Sequence, residues 1–221
     1  MTVEELAERV KELEKELKNF RDIEEIKRLQ RAYGYYLEHM MADELIDLFS
    51  DRPDTMLNIL VGIYTGKEGI RRYFSSRKED SNNPEFLHQV MQLSGIVDVA
   101  EDGETAGGRW YGFGAIALPR GKGVSQLFMG GIYQSEYIKE NGKWKIHKLT
   151  WNPFYSYTPE NGWVKSERLA DEDDKKVSQP PPKPDKPRDV NSRYPSGHIV
   201  PFHFKHPITG KETEGRIVPA R

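Results

Sequence analysis

The 221-residue chain contains no cysteine, so a disulfide scaffold and thiolate chemistry are both excluded. It also lacks any apolar run that approaches the roughly 20 residues needed to span a bilayer. Met1 leads into a charged helical segment rather than an apolar signal region. These absences predict a cytoplasmic protein that has no membrane partner.

The sequence also lacks an excess of charge of one sign. Lys and Arg total 33 against 35 for Asp and Glu, and the formal net charge is -2. Such a balance gives no global field that would attract nucleic acid, so no nucleic-acid partner is expected. We find neither a glycine-rich phosphate loop before a helix nor a nucleophile-elbow pattern. The chain is long enough for one domain of ordinary size with tails.

The first 20 residues carry an apolar stripe whose spacing alternates between three and four. Its members are Val3, Leu6, Val10, Leu13, Leu17 and Phe20. This is a coiled-coil-like pattern of under three heptads. Two interpretations remain open, an amphipathic helix on its own domain or a contact with another subunit. For residues 1–20 we predict an amphipathic helix that contacts another subunit of an oligomer.

Residues 21–158 read as the folded domain. Asp22 is typical of an N-cap, because Glu25 follows three residues later and an apolar helical stripe runs on to Leu37. A short helix then ends near Ser50, two short strands meet near Gly62, and "KEGIRRYFSS" is typical of another helix.

From residue 86 the periodicity is that of strands. Four runs follow, "LHQVMQLSGIVDVA", "TAGGRWYGFGAIAL", "VSQLFMGGIYQSEYIKE" and "KWKIHKLTWNPFYSY", with a hairpin signal at Asn141–Gly142. The pairs Gly107–Gly108 and Gly130–Gly131 predict bulges and a strongly curved sheet. The fold class expected is α+β, a curved antiparallel sheet packed on three helices, with the extra N-terminal helix and an extended C-terminal tail.

Residues 159–221 are Pro-rich and are expected to form an extended tail. The run "QPPPKPDKPR" is typical of a polyproline-like linker, but apolar residues such as Ile199, Phe202 and Phe204 follow it. The tail is therefore predicted to lie over the domain or over a neighbour. His198, His203 and His206 have loose metal-like spacing without a carboxylate between them, so no metal site is predicted.

One helical stretch, "RAYGYYLEHM" at residues 31–40, is unusual in composition. Aromatic side chains lose rotamer freedom in a helix, so packing alone would favour Leu and Ala over Tyr33, Tyr35 and Tyr36. Glu38 and His39 follow at once. We predict that part of this helix faces a cavity, with Tyr35 and His39 directed outward.

Four segments in order resemble the SnoaL-like branch of the NTF2-like superfamily: "IEEIKRLQRAYGYYLEHMMADELIDLFSD", "GIYTGKEGIRRYF", "LHQVMQLSGIVDVAEDGETAGGRW" and "GGIYQSEYIKENGKWKIHKLTW". The resemblance covers roughly residues 20–157. It implies a cone-shaped α+β fold with one deep apolar pocket. The superfamily includes scytalone dehydratase, bile-acid 7α-dehydratase, ketosteroid isomerase, polyketide cyclases, limonene epoxide hydrolase and many non-enzymatic members. Three features look most like bacterial proteins related to γ-formaldehyde lyases of lignin-derived diaryl compounds: the Tyr-Gly-Tyr-Tyr run at residues 33–36, the "WKI" strand and the Pro-rich tail ending "YPSGHIVPFHF".

The resemblance implies three catalytic residues. In the dehydratase-like members a Tyr on the first long helix, an acid five residues later and a His on the first long strand meet in the pocket. The matching residues here are Tyr33, Glu38 and His88, with Glu where Asp is usual. Glu38 would raise the basicity of His88, and Tyr33 would donate a proton. The alternatives are a core tyrosine, a solvated helix-end charge and a hydrogen-bonded structural histidine.

Inward-facing aromatic and apolar residues are expected to bind the substrate or to form plain core. They are Tyr36, Tyr64, Met91, Trp110, Phe113, Phe128, Met129, Trp151 and Phe154. Together these features predict a cofactor-independent lyase, of the dehydratase or γ-formaldehyde lyase type, for a hydroxylated aromatic or polycyclic small molecule. A non-catalytic binding or assembly module and an isomerase or cyclase remain alternatives. A homotrimer is favoured over a dimer by analogy with the superfamily.

Overall fold

The computed structural model describes residues 1–83, 85–120, 123–159 and 182–187, with short pieces at 198–199, 203 and 216–217. The helices are α1 (Val3–Glu38), α2 (Ala42–Asp47) and α3 (Gly66–Ser75), and a 3-10 turn spans Asp80–Asn82. The strands are β1 (Met56–Ile59), β2 (Gly62–Thr65), β3 (Leu87–Val99), β4 (Thr105–Arg120), β5 (Gly123–Glu140), β6 (Lys143–Tyr157), β7 (His198–Ile199) and β8 (Arg216–Ile217). No described helix has the length and apolar character needed to cross a membrane.

Six strands form one sheet in the order β2-β1-β6-β5-β4-β3. The predicted meander of four long antiparallel strands is confirmed. Asn141 and Gly142 both have positive φ angles, 51° and 75°, as a tight two-residue hairpin requires. The sheet is mixed rather than wholly antiparallel, because β1 runs parallel to β6.

The sheet bends at register shifts in β3, β5 and β6. Shifts lie between Leu93 and Ile96 and at the predicted Gly130–Gly131 position. A further shift at Glu136 was not predicted. The bulge predicted at Gly107–Gly108 is wrong, since both glycines pair continuously with β3 and β5. Extra residues in one strand increase local twist and let the sheet curve around the helices.

Helix α1 packs on the concave face of the sheet, called the inner face below. Its buried residues include Ile26, Tyr33 and Leu37. Gly34 allows the helix to lie close to β3, because a Cβ atom there would stand 3.0 Å from the Gln92 Cγ and 3.4 Å from the Val90 carbonyl oxygen. The absence of one side chain thus sets the separation between helix and sheet at this point.

The prediction of a helix start at Asp22 is wrong, because α1 continues unbroken through it. The buried Asp22 carboxylate accepts hydrogen bonds from Lys139 Nζ at 2.6 Å and Trp144 Nε1 at 2.8 Å. Burial raises the pKa of Asp22, but these bonds and the charges of Lys139 and Lys18 outweigh it and lower the pKa overall. Asp22 therefore does not cap a helix but makes a tertiary contact with β5 and β6.

Residues 182–187 of the tail lie against strand β2 and helix α3. The Ile63 N–H donates to the Lys186 carbonyl at 3.0 Å, and the Tyr64 hydroxyl donates to the Pro182 carbonyl at 2.7 Å. Asp185 accepts from the Thr65 N–H at 2.8 Å and forms an ion pair with Arg72 at 2.7 Å. This segment covers the edge of β2 through a bridge between Ile63 and Lys186. Phe202, Phe204 and His206 lie outside the described residues.

The Asp22–Lys139 pair gives a test of the helix-to-sheet contact. Asp22→Ala leaves the Lys139 ammonium buried without its partner, so we expect the free energy of unfolding to fall by about 3 kcal/mol. Asp22→Leu combined with Lys139→Met removes both charges and should recover most of that loss. Urea denaturation measures both. Exposed Glu24→Ala is the control, and a cost for Asp22→Ala no larger than for this control would contradict the contact.

Candidate functional site

A buried hydrogen-bond network fixes the middle of α1 to the inner face. Gln30 Nε2 donates to Gln92 Oε1 at 2.9 Å, and Gln30 Oε1 accepts from the Tyr137 hydroxyl at 2.7 Å. The Tyr137 oxygen in turn accepts from Trp110 Nε1 at 3.0 Å. Every member is partnered, so the network specifies one position of the helix on strands β3, β4 and β5.

Tyr33 lies one turn further along α1, enclosed by other aromatic rings. Its ring makes edge contacts with Phe49, 6.2 Å between centroids, and with Tyr133 at 6.1 Å. Burial raises the pKa of Tyr33 well above its ordinary value, and the nearby phenols of Tyr133 and Tyr73 add to the rise. Tyr33 is therefore a neutral phenol that can donate a proton or a hydrogen bond.

Three phenols form what we call the phenol cluster: the buried Tyr33 and Tyr133 and the partly buried Tyr73. Tyr73 comes from α3 and Tyr133 from β5. Burial raises the pKa of each, and each of Tyr33 and Tyr133 is also affected by its neighbours in the cluster. Sequence reasoning missed Tyr73 and Tyr133, since no local pattern shows that an α3 residue and a β5 residue meet beside α1.

His88 lies near the start of β3, paired with Ile116 of β4 and stacked on Phe86 at 6.4 Å between centroids. Its Nδ1 atom is buried and has no hydrogen-bond partner among the described residues. Burial and the positive charge of Arg77 lower the pKa of His88 to about 4. Desolvation and a cation therefore dominate the pKa of His88, and the expected role of Glu38 beside it stays a prediction.

Arg77 connects His88 with the phenol cluster electrostatically. It follows α3, forms an ion pair with Asp80 at 2.5 Å, and lowers the pKa of both His88 and Tyr73. The segment that holds it, "FSSRKEDSNN" at residues 74–83, is polar. A partly buried guanidinium beside phenols and an imidazole can stabilise negative charge that develops on a bound molecule.

Glu38 is the last residue of α1 and is partly exposed. Helix α1 runs opposite to β3, since Gln30 bonds to Gln92 whereas Gly34 already touches Val90. From residue 30 to 38 the helix advances about 12 Å, and from residue 92 to 88 the strand spans about 13 Å. The end of α1 and the start of β3 therefore lie at the same end of the sheet.

The predicted substrate-binding residues divide between the two faces of the sheet. Trp110, Met129 and Trp151 are buried on the inner face, and the Trp151 ring lies 4.4 Å from that of Tyr133. Tyr36 is half-buried on α1, and Phe154 is half-buried beside the β6 bulge.

Met91, Phe113 and Phe128 lie on the outer face, so the prediction that they line a cavity with Tyr33 is not supported. Side chains alternate along a strand, and Gln92 and Trp110 already occupy the inner face. Phe113 and Phe128 stack on each other, 6.4 Å between centroids. Tyr64 is buried elsewhere, with its hydroxyl bonded to the tail.

A cavity of about 550 Å³ lies at the other end of the long strands. Its lining includes Arg52, Asp98, Glu136, Tyr137, His147 and His203. Gly107, also part of the lining, is nine residues from Ile116 along β4, which is roughly 30 Å of strand. None of the predicted catalytic residues borders this cavity. His203 contacts Asp98 there, 3.2 Å between Nε2 and Oδ2.

Comparison with known families identifies one match over most of the described domain. The profile of the SnoaL-like domain matches residues 18–150.

Solved structures with the same architecture include proteins of different kinds. One, from Novosphingobium aromaticivorans, was solved as a candidate scytalone dehydratase. It is 16% identical to this chain, the alignment covers 69% of this chain and 93% of that chain, and the TM-score is 0.55. A type 2 hexachlorocyclohexane dehydrochlorinase is 16% identical; its alignment covers 71% of this chain and 98% of that chain, with a TM-score of 0.54. An NTF2-like superfamily protein from Salmonella enterica is 15% identical; its alignment covers 60% of this chain and 90% of that chain, with a TM-score of 0.51. At these identities the likeness concerns the fold, and it confirms the α+β cone; the resemblance to formaldehyde lyases stays a prediction.

The low pKa of His88 makes stability depend on pH. The unfolded chain takes up a proton near pH 6.5, whereas folded His88 stays neutral until about pH 4, so stability falls as the pH drops between these values. The loss is on the order of 3 kcal/mol. His88→Gln should remove it from the pH dependence of urea unfolding. Exposed His39→Gln is the control, and equal pH dependence in the His88 variant and wild type would contradict the burial. Burial also lowers the pKa of His203, but this residue contributes equally to the pH dependence of the wild type and of both variants.

Proposed function

This chain belongs to the SnoaL-like domain family, and from that premise we propose that it is a lyase. Its substrate would be a hydroxylated aromatic or polycyclic small molecule, and its reaction an elimination by general acid and base groups alone. The observation that carries the proposal is the Arg77 cation, which acts electrostatically both on the neutral imidazole of His88 and on Tyr73 of the phenol cluster.

Burial in one dry region supports this assignment of roles. The raised pKa values keep Tyr33, Tyr73 and Tyr133 protonated, which is the state a general acid needs. The lowered pKa keeps His88 unprotonated at neutral pH, which is the state a general base needs. Pairs of titratable groups whose surroundings push them into opposite roles are typical of acid–base catalysis.

In the proposed elimination, His88 accepts the proton of a C–H bond next to the carbon that bears a hydroxyl group. The C–H electron pair forms a C=C bond as the C–O bond breaks, and Tyr33 donates a proton to the departing oxygen, so that water leaves. The proton on His88 returns to the tyrosinate to restore both groups. Arg77 stabilises the negative charge that develops on the substrate in between.

The same groups would serve a formaldehyde-releasing elimination. Here His88, or the Glu38–His88 pair, accepts the proton of a terminal CH2OH group, and its C–O bond becomes the carbonyl of formaldehyde. The C–C electron pair forms the new C=C bond while a benzylic hydroxyl leaves as water with the proton from Tyr33. The proton on His88 then returns to the Tyr33 tyrosinate, either directly or by way of Glu38, which lies at the same end of the sheet.

A non-catalytic binding or assembly module is the second candidate function. The tight packing of Tyr33 against Phe49 and Tyr133 favours it, since enclosed rings leave little free volume beside the hydroxyl. An isomerase or cyclase would use the same acid and base groups. Screening hydroxylated diaryl compounds and steroid-like alcohols separates these functions, with released formaldehyde, new conjugated absorbance and product mass as readouts. Binding of such compounds without any product would support the module.

The role of His88 can be tested by substitution once a substrate turns over. His88→Gln keeps a side chain of similar size but removes the base, so we expect kcat to fall at least about 100-fold. The matched control is His39→Gln, one residue beyond α1 and exposed, which should keep wild-type activity. Wild-type rates in the His88 variant would exclude it as the base.

The role of the Tyr33 hydroxyl can be tested in the same assay. Tyr33→Phe preserves the ring contacts with Phe49 and Tyr133 while removing the proton donor, so kcat should fall by about 100-fold with little change in unfolding midpoint. Tyr35→Phe, 70% exposed on the opposite side of α1, is the control. If both variants retain full kcat, Tyr33 is a core residue and not an acid.

The pH profile provides an independent test. Because the free protein keeps His88 neutral until about pH 4, kcat/KM should stay level from neutral pH down towards that value and then fall. A histidine base of ordinary pKa would instead lose activity below about pH 6.5. Intrinsic fluorescence at each pH controls for unfolding. A fall in kcat/KM near pH 6.5 in folded protein would contradict the proposed environment of the base.

A further inference from the structure

The N-terminal half of α1, residues 3–20, packs against little of the described structure. Residues 1–21 are all exposed, and the six apolar residues of the N-terminal stripe are 46% to 80% exposed. The helix nevertheless begins with a complete capping box, since the Thr2 N–H donates to Glu5 Oε2 at 2.8 Å and Thr2 Oγ1 accepts from the Glu5 N–H at 3.2 Å. Its terminal turn is thus stabilised locally, although its residues are all exposed in the described structure.

The stripe cannot fold back on its own domain. At about 100° per residue, the mean direction of the stripe lies roughly 160° from that of the buried residues further along α1. Those buried residues are Asp22, Ile26, Gln30, Tyr33, Gly34 and Leu37. One continuous helix therefore presents two faces to opposite sides, one to the sheet and one away from it. The interpretation of an amphipathic helix lying on its own domain does not fit a straight α1.

The stripe has the composition of a two-stranded seam. As a heptad, its a positions are Val3, Val10 and Leu17, and its d positions are Leu6, Leu13 and Phe20. β-Branched residues at a with Leu at d favour parallel dimers over trimers. Continued past Phe20, the same positions hold Glu24, Lys27 and Arg31, so the seam ends where the domain begins.

We propose that two copies of this chain pair through residues 3–20 as a parallel two-stranded coiled coil. Flanking charges support this register. In a parallel pair each g position faces the next e position of the other helix, which places Arg9 beside the second copy's Glu14 and Glu16 beside its Arg21. All four resulting contacts join opposite charges. An antiparallel pair would match Arg9 with Glu16 but leave Glu14 opposite Ala7.

The pairing would bring both domains to the same end of the coil, related by a two-fold axis along it. The seam would cover the exposed leucines and valines that a single chain leaves in water. An isolated helix of this length is only marginally stable in water, so a partner helix also accounts for its persistence.

Cysteine trapping in the full chain tests the pairing. Because the chain has no native cysteine, any disulfide must involve the introduced residue. In the parallel register, Leu13→Cys meets its own copy at a separation that a disulfide bridges. Under mild oxidation we expect a covalent dimer from Leu13→Cys and none from Lys15→Cys, which lies on the outer side of the coil. No cross-link from Leu13→Cys, or equal cross-linking from both, would overturn the proposal.

Charge exchange distinguishes the two directions. Arg9→Glu should weaken the dimer, because it places two carboxylates together in either direction. Adding Glu14→Arg should restore the dimer only if the helices are parallel, and adding Glu16→Arg should restore it only if they are antiparallel. Sedimentation equilibrium of each variant reports the dissociation constant, and rescue by Glu16→Arg in place of Glu14→Arg would overturn the parallel register.

The solution mass provides the last test. Light scattering of the wild type should give the mass of a dimer of 25.6 kDa chains. The double variant Leu6→Glu with Leu13→Glu should have the mass of a monomer, and its near-ultraviolet circular dichroism spectrum should be unchanged. A wild-type monomer, a trimer as expected by analogy, or a dimer that survives the double substitution would each overturn the proposal. The last result would point instead to contact through the outer face of the sheet.

Discussion

The close approach of α1 to β3 at Gly34 is the contact on which the rest of the inner face depends. A Cβ atom at this position would crowd the Gln92 side chain and touch the Val90 carbonyl, so glycine lets the helix lie this near to the strand. The Gln30–Gln92 hydrogen bond then fixes the helix along the strand. With position and separation both set, Tyr33 can only lie between Phe49 and Tyr133.

Desolvation gives the candidate site its chemical character. The same burial raises the pKa of three phenols and lowers that of an imidazole, so all four groups are neutral at physiological pH. Arg77 keeps its charge through its ion pair with Asp80. In the unfolded chain these groups are also largely neutral at pH 7, so their shifted pKa values lower stability only outside the neutral range: below about pH 6.5 for His88 and above about pH 10 for the phenols. The interior network of Gln30, Tyr137 and Trp110 adds hydrogen bonds between neutral groups.

The local features of the fold could be predicted from the sequence, whereas contacts between distant segments could not. The four long strands and the Asn141–Gly142 turn follow from alternation and turn chemistry. Asp22 was misread because a capping pattern and a buried ion-pair partner look alike until Lys139 and Trp144 are placed beside it. Family resemblance indicated Tyr33 and His88, but neither resemblance nor pattern indicated Tyr133, Tyr73 or Arg77.

Strand parity accounts for the misplaced lining residues. Met91 and Phe113 are apolar, but the inner positions of their strands are held by the polar Gln92 and by Gly112. A prediction based on hydrophobicity alone therefore selects the outer face at this point. Gly112 is required on the inner face because a Cβ there would overlap the Trp151 and Tyr133 rings. The inner surface is shaped by a few small residues as much as by its aromatic ones.

The account rests on an imidazole held neutral in a dry region at one end of the cone. An NMR titration of the histidine ring carbons, with the His88 signal identified by its loss in His88→Gln, measures this directly. The account predicts that the His88 signal titrates near pH 4 and shifts when a hydroxylated diaryl compound is added at neutral pH. A His88 signal that titrates near pH 6.5 and does not shift when such compounds are added would contradict the proposed environment of His88.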